Sequence, residues 1–106
     1  MASGILGQSS LSGGSNTTVY TVPSSTHAVV NINVVNRSSS GARTIRVALS
    51  SSGSPSAQEY IEYDVSVPKN AVLERTAISL NAGKNVVVYS SGSDVSASVY
   101  GIEQTT

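Results

Sequence analysis

Short apolar runs alternate with polar residues along most of the chain, and clusters of Ser, Gly, Asn and Pro separate the runs. The runs recur at intervals of about 8 to 12 residues, which is typical of antiparallel sandwiches and barrels. Nowhere does an apolar period of about 3.6 residues persist long enough to predict a helix. We therefore predict an all-β fold, a single Greek-key sandwich, immunoglobulin-like or jelly-roll-like, of about seven antiparallel strands.

The longest predicted strand covers residues 27–36. Asn31 and Asn33 fall on one face of this extended segment, and the even-numbered positions fall on the other. Four of these even-numbered residues are apolar, namely Ala28, Val30, Ile32 and Val34. Since a half-buried strand alternates in this way, these four side chains are predicted to form part of the core.

The stretch EYIEYDV, near the middle of the sequence, carries three acidic residues and raises the question of a paired-carboxylate site. Alternation places Glu62 and Asp64 on an exposed face, and the opposite, buried face would hold Ile61, Tyr63 and Val65. Two carboxylates on one strand face lie roughly 6.5 to 7 Å apart, which is compatible with a glycosidase pair. We favour solvent-facing acids, since a glycosidase needs a deep aromatic-lined cleft.

Composition narrows the possible functions. The chain is 39% hydrophobic but has no Phe or Trp, so its core is predicted to consist of aliphatic side chains and some of the five Tyr. Six basic residues balance six acidic ones, and their scattered positions argue against a nucleic-acid partner. The sequence has no Cys, which excludes disulfides and Cys-based zinc sites. No segment resembles a signal peptide or a membrane span, so no membrane partner is predicted.

Catalytic and phosphate-binding motifs are incomplete. His27 is the single histidine, and no G-x-S-x-G nucleophile motif accompanies it. Gly83 and Lys84 resemble the end of a phosphate-binding loop, but the motif would need Gly in place of Ile78 and Ser or Thr in place of Asn85. We therefore predict a protein without enzymatic activity and without catalytic, cofactor-binding or metal-binding residues.

Residues 1–16 differ from the rest of the chain because they are rich in Gly and Ser and lack apolar alternation. We predict a flexible N-terminal arm here, followed by a β-sandwich domain at residues 17–106. Ile5, Leu6 and Leu11 are isolated apolar residues in this arm and are the candidate partner-binding residues. A surface rich in Ser, Thr and Asn with few charges suits contacts with other protein subunits.

A carbohydrate-binding module is the alternative that the aromatic residues leave open. Such modules stack sugar rings on flat aromatic side chains, usually including Trp. Tyr89 and Tyr100 fall in the last two predicted strands and are the candidates for outward-facing rings. A glycan is therefore a less favoured partner than another protein.

Six segments, taken in order, resemble a known family. They are TTVYTVP (17–23), VNINVVNR (30–37), IRVALS (45–50), YIEYDVSVP (60–68), VLERTAISLNAGKNVVVYSS (72–91) and SVYGIE (98–103). Together they resemble the small β-sandwich proteins among the virion structural proteins of tailed bacteriophages, notably phages of cyanobacteria. The segments are strand and turn sequences with no functional residue among them.

The resemblance implies a Greek-key sandwich that attaches to the virion or builds part of it. A small domain with a short arm and no long repeats favours a capsid decoration or cement protein on the outer head shell, bound to the major capsid protein or other virion subunits. A tail or fibre component is the alternative. We expect a homo-oligomer, with a trimer favoured, located in the virion after assembly in the host cytoplasm. Deletion of residues 2–12 is expected to abolish attachment while leaving the fold intact.

Overall fold

The computed structural model describes residues 2–106 and arranges them in two four-stranded antiparallel sheets. The strands are β1 (Ser3–Ser10), β2 (Ser15–Thr21), β3 (Thr26–Asn36), β4 (Arg43–Ser50), β5 (Tyr60–Val67), β6 (Val72–Leu80), β7 (Asn85–Ser90) and β8 (Val95–Thr105). One turn of 3₁₀ helix, Ala57–Glu59, precedes β5. The all-β prediction is confirmed, with eight strands instead of about seven.

Strand order follows from how the chain folds back on itself. Sheet A has the order β1-β8-β3-β6, and sheet B has the order β2-β7-β4-β5. The pairs β1·β8, β2·β7, β3·β6 and β4·β5 are those of one long antiparallel ribbon that turns between β4 and β5. The remaining pairs, β3·β8 and β4·β7, join neighbouring parts of this ribbon within each sheet. The Greek-key arrangement of these connections stays a prediction.

The core lies between the sheets and consists mainly of β-branched side chains. The prediction for β3 is confirmed, because Ala28, Val30, Ile32 and Val34 are each at most 1% exposed. Sheet B contributes side chains of the same kind to this cluster, among them Ile45, Val47, Val86 and Val88. Such residues suit a pleated, buried surface, which explains why a chain without Phe or Trp folds as two stacked sheets.

The interpretation of the N-terminal segment as a flexible arm is wrong. Residues 3–10 form β1, which pairs with β8 along its whole length. Leu11 is buried in the core at 2% exposure, and its N–H donates to the carbonyl of Val95 at 2.9 Å. Leu6 packs against the same core, whereas Ile5 is exposed. Met1 of the predicted arm lies outside the described residues.

On one side of the sandwich, β1 of sheet A lies directly against β2 of sheet B. A Cβ atom placed on Gly7 would collide with the carbonyl oxygen of Val19, so only glycine permits this approach. Tyr20 of β2 adds a second link between the sheets, because its hydroxyl donates to Glu103 of β8 at 2.5 Å. Burial, together with this hydrogen bond, raises the pKa of Tyr20. The N-terminal strand therefore closes one side of the core.

The structure reverses the expected result of the deletion. Removing residues 2–12 takes away a whole strand and the buried Leu11, and loss of a buried Leu side chain alone costs about 2 to 5 kcal/mol. We expect the truncated protein to be unfolded or to have a much lower Tm, measured by circular dichroism. The variant Ile5→Ser changes one exposed side chain and serves as the control, with an expected cost within about 0.5 kcal/mol. A truncated protein as stable as the intact chain would contradict this account.

Candidate binding surfaces

A β-bulge in β5 changes the direction of its side chains. The pairs Ile45↔Val65 and Val47↔Glu62 enclose one more residue on β5 than on β4, and Asp64 adopts a left-handed conformation with φ of 54°. Asp is one of the few residues besides glycine that tolerates this region. The bulge reverses the alternation between its two sides.

The predicted buried face of β5 is therefore only partly correct. Tyr63 is 57% exposed. Ile61, which lies at a second irregularity between the pairs Val47↔Glu62 and Ala48↔Tyr60, is 38% exposed, so the prediction is wrong for both. Beyond the bulge, Val65 packs against the core and Val67 is buried, as the alternation predicts.

Glu62 and Asp64 lie on opposite sides of sheet B. Glu62 is paired with the core residue Val47, and its side chain is only 10% exposed and forms an ion pair with Arg75 of sheet A. Asp64 instead pairs with Arg46, with 2.6 Å between its Oδ1 and the arginine Nε. The prediction that Glu62 faces solvent is wrong, and the two carboxylates do not share a site.

The Glu62–Arg75 pair spans the side of the sandwich opposite β1 and β2. Here β5 and β6 are the edge strands of their sheets. β6 has its own bulge, at which Ala77 has a φ of 58°. Bulges and inward-pointing charges are devices by which edge strands avoid pairing with other chains. An ion pair therefore links the two sheets on the side of β5 and β6, whereas backbone contact links them on the side of β1 and β2.

The loop after β4 covers part of the outer face of sheet B. Its Gly53 approaches β2 closely enough that a Cβ would lie 3.6 Å from Thr18 Oγ1. Ala48 and Val87 are at most 2% exposed although they do not belong to the cluster between the sheets. The loop thus shields a second, small apolar area on the outside of the sandwich.

Glu59 holds this loop in place. Its carboxylate accepts hydrogen bonds from the N–H groups of Ser56 at 2.9 Å and Ser51 at 3.0 Å, and from the Ser50 hydroxyl at 2.9 Å. Lys84 Nζ lies 3.9 Å from Oε2. The hydrogen bonds from Ser56, Ser51 and Ser50, in that order, lower the pKa of Glu59 to about 2. Glu59 therefore has a structural role in its charged form.

His27 has a hydroxyl partner on the outer face of sheet A. Its Nε2 lies 2.9 Å from the Oγ of Ser79, and this hydrogen bond is exposed to solvent. A hydrolytic triad also needs a carboxylate on the other ring nitrogen. Within residues 2–106, no carboxylate is hydrogen-bonded to His27.

An apolar strip lies on the outer face of sheet A. Val29 of β3 pairs directly with Ile102 of β8, and Ile5 of β1 pairs with Tyr100, one alternation step from Ile102. Ile5, Val29 and Ile102, which we call the apolar strip, are 60%, 38% and 54% exposed. The Tyr100 hydroxyl donates to Glu74 at 2.8 Å and so neighbours the strip with its polar end satisfied.

Among the candidate partner-binding residues, only Ile5 lies on this strip. Leu11 belongs to the core and is not available to a partner, and Leu6 is half-buried against the core. Sequence reasoning missed Val29 and Ile102. Each has polar residues as its nearest neighbours on its own strand face, and only the pairing of β3 with β8 brings the two side by side.

A cluster of aromatic and charged side chains lies on the outer face of sheet B. Arg46 stacks between two rings, with its guanidinium carbon 4.3 Å from the centroid of Tyr63 and 4.8 Å from that of Tyr89. Tyr60 meets Tyr63 edge to face at 4.9 Å. We call Arg46, Tyr60, Tyr63, Asp64 and Tyr89 the tyrosine–arginine cluster.

The two tyrosines singled out from the sequence do not form one platform. Tyr89 belongs to the tyrosine–arginine cluster on sheet B, and Tyr100 lies on the outer face of sheet A. Tyr89 and Tyr100 therefore cannot form one sugar-binding platform together. Tyr63, which alternation assigns to the interior, is the ring that joins Tyr89.

Two further findings apply to the described part of the chain. Across residues 2–106, no three His, Asp or Glu side chains are grouped so that they could hold a metal ion. Over the same range, no helix has the length and apolar character to cross a membrane.

No family model and no curated protein matches the chain. It is similar to a pentameric capsid protein isolated from metagenomic phage sequences, for which a crystal structure exists. The sequence identity is 17% and the TM-score is 0.41, and the matched region covers 96% of this chain and 63% of that protein's chain. A second crystal structure of a protein of the same description has 18% identity, a TM-score of 0.35 and coverages of 97% and 60%.

The chain thus spans less than two thirds of the length of either structure.

The role of Glu59 predicts how stability depends on pH. Its pKa is about 2 in the folded chain against an ordinary value of 4.5, so the unfolded chain binds the proton first. The contribution of Glu59 is present above about pH 4.5 and is lost as the pH falls towards about 2. We expect Glu59→Gln to lower Tm at neutral pH and to flatten the decline of Tm over that window. Glu74→Gln, on the other sheet, is the control, and an unchanged acid profile in Glu59→Gln would refute the role.

The inter-sheet ion pair predicts a coupling between Glu62 and Arg75. In a double-mutant cycle with Glu62→Gln and Arg75→Met, we expect Glu62→Gln to cost about 1 to 2 kcal/mol, because it leaves Arg75 without its partner. The coupling energy is expected to be about 1 kcal/mol, measured by urea unfolding. Asp64→Asn breaks a solvent-exposed pair and should cost about 0 to 1 kcal/mol. Additive effects of the two substitutions would show that the pair does not link the sheets.

Proposed function

We propose that this chain is a non-enzymatic structural subunit of a bacteriophage particle and that identical copies contact one another through the apolar strip. The sequence resemblance to phage virion proteins motivates the particle. The exposed position of Ile5, Val29 and Ile102 on one sheet face motivates the contact between copies. The strip is the observation that carries the proposal.

We further propose that the fold is an eight-stranded jelly roll and not an immunoglobulin-like sandwich. The pairs β1·β8, β2·β7, β3·β6 and β4·β5 support this, since a jelly roll is an antiparallel ribbon rolled into two sheets. Viral capsid domains and lectins use this architecture. Because one fold serves many functions, the fold is compatible with a capsid role and does not establish it.

The chemistry of the apolar strip fits a second copy of the chain as its partner. Identical copies present identical charges, so a surface that carries charges of one sign would repel its own copy. The strip consists of three aliphatic side chains, and the chain as a whole has a formal net charge of zero. Neighbouring positions on the same face carry Ser3, Ser79 and Gln104, which can form hydrogen bonds around an apolar centre.

Within the particle, we propose a capsid decoration or cement role on the outer head shell, in contact with the major capsid protein. The small size of the domain and the sequence resemblance support this placement. A flexible N-terminal arm has no part in this placement, because Leu11 and β1 are part of the sandwich. A tail or fibre position is the alternative, and the favoured trimer stays a prediction.

Light scattering on the purified protein tests the contact between copies. We expect the intact chain to have a mass of at least two times 10.8 kDa, and Ile102→Lys to reduce it to that of a single chain. Val72→Lys is the matched control, because Val72 is 53% exposed on sheet A but pairs with Val35, about 20 Å along β3 from Val29. A single-chain mass for the intact protein, or equal effects of both substitutions, would contradict the proposal.

A further inference from the structure

The tyrosine–arginine cluster offers a second surface, on the sheet opposite to the apolar strip. Cross-strand pairing places Asn16, Tyr89 and Arg46 side by side on β2, β7 and β4. Arg46 then reaches Tyr63 and Asp64 on β5. The cluster therefore lies on β4, β5 and β7 of sheet B, with Asn16 of β2 beside it, and is independent of the surface assigned to contacts between copies.

The β5 bulge is the reason that Tyr63 belongs to this surface. Without the extra residue, Tyr63 would follow the alternation of Val65 and Val67 and point into the core. A left-handed, non-glycine residue is an unfavourable conformation, and such outliers are concentrated at functional sites. Asp64 has this conformation and is held by Arg46 at 2.6 Å. The bulge thus presents a large aromatic ring to solvent and fixes a carboxylate and a guanidinium beside it.

A depression adjoins the exposed ring. It has a volume of about 500 Å³ and is lined by Ala57, Tyr60 and Tyr63, where the 3₁₀ turn meets β5. The turn ends at Glu59, whose hydrogen bonds to Ser50, Ser51 and Ser56 hold this wall in position. The depression is therefore bounded by two tyrosines on a structured backbone.

The arrangement matches the chemistry of a saccharide. A pyranose has an apolar C–H face that packs on an aromatic ring, whose face carries negative charge density. Its hydroxyl groups need both donors and acceptors at the edge of that ring. Arg46 supplies N–H donors, Asp64 supplies carboxylate acceptors, and the tyrosine hydroxyls act as either.

The net charge of the tyrosine–arginine cluster determines whether a neutral or a charged ligand fits it better. Arg46 and Asp64 neutralise each other, so the cluster has no net charge to attract an acidic sugar or a phosphate. Arg46 also occupies the space between Tyr63 and Tyr89, which fills the position that a bound cation would take between two rings. We propose that the tyrosine–arginine cluster, with the depression beside Tyr60 and Tyr63, binds a neutral saccharide.

Tyrosine fluorescence and amide chemical shifts provide the test. The fluorescence is that of the five Tyr alone, because the chain has no Trp. The probes are neutral oligosaccharides of glucose, mannose, xylose and N-acetylglucosamine, with an oligogalacturonate as the acidic comparison, each at millimolar concentration. We expect at least one neutral probe to bind with a Kd of about 1 mM or lower and to shift amides of β4, β5 and β7.

Variants assign the binding to the cluster. We expect Tyr63→Ala to weaken binding about tenfold or more. Asp64→Asn should also weaken it, while Asn retains the left-handed backbone and so preserves the bulge. Tyr100→Ala, on the opposite sheet, should bind as the unmodified chain does. Amide spectra of each variant establish that it is folded.

Three results would overturn the proposal: no neutral probe binds, only the oligogalacturonate binds, or Tyr63→Ala and Tyr100→Ala have equal effects. None of these results depends on the mass of the purified protein in light scattering. Failure of saccharide binding is therefore distinguishable from failure of the proposed contact between copies.

Discussion

The layer of small β-branched side chains between the two sheets is the constraint on which the rest of the structure depends. Without Phe or Trp, the interior is filled by Val, Ile, Leu and Ala from both sheets, with Tyr20 at its margin. The apolar strip and the tyrosine–arginine cluster both lie on the outer faces of the sheets, and the account of function concerns those faces.

A sandwich of two sheets also leaves its core open on two sides, and these two sides are closed by different contacts. At β1 and β2 the backbones touch, which requires Gly7 and makes the N-terminal strand part of the folded unit. At β5 and β6 the sheets are linked by Glu62 and Arg75, and both edges are bulged. The bulge that protects the β5 edge also turns Tyr63 outward, so the same local feature shapes the edge and the surface beside it.

Sequence reasoning predicted the all-β class and the inward face of β3, because β3 alternates without interruption. It missed β1, since a Ser- and Gly-rich segment carries no alternation and becomes a strand only through its pairing with β8. It reversed half of β5 because a bulge adds one residue, and the alternation of EYIEYDV does not mark where that residue lies. The two outer surfaces could not be predicted, because strand pairing assembles them from distant residues.

The central claim is that this chain is a structural part of a phage particle. The most direct test is quantitative mass spectrometry of purified, intact virions from a phage whose genome carries the gene for this chain, with the major capsid protein as the internal standard. The account predicts peptides of this chain in a fixed ratio to that standard that survives repeated gradient purification. Virions that lack the chain, while the infected cells contain it, would contradict the account.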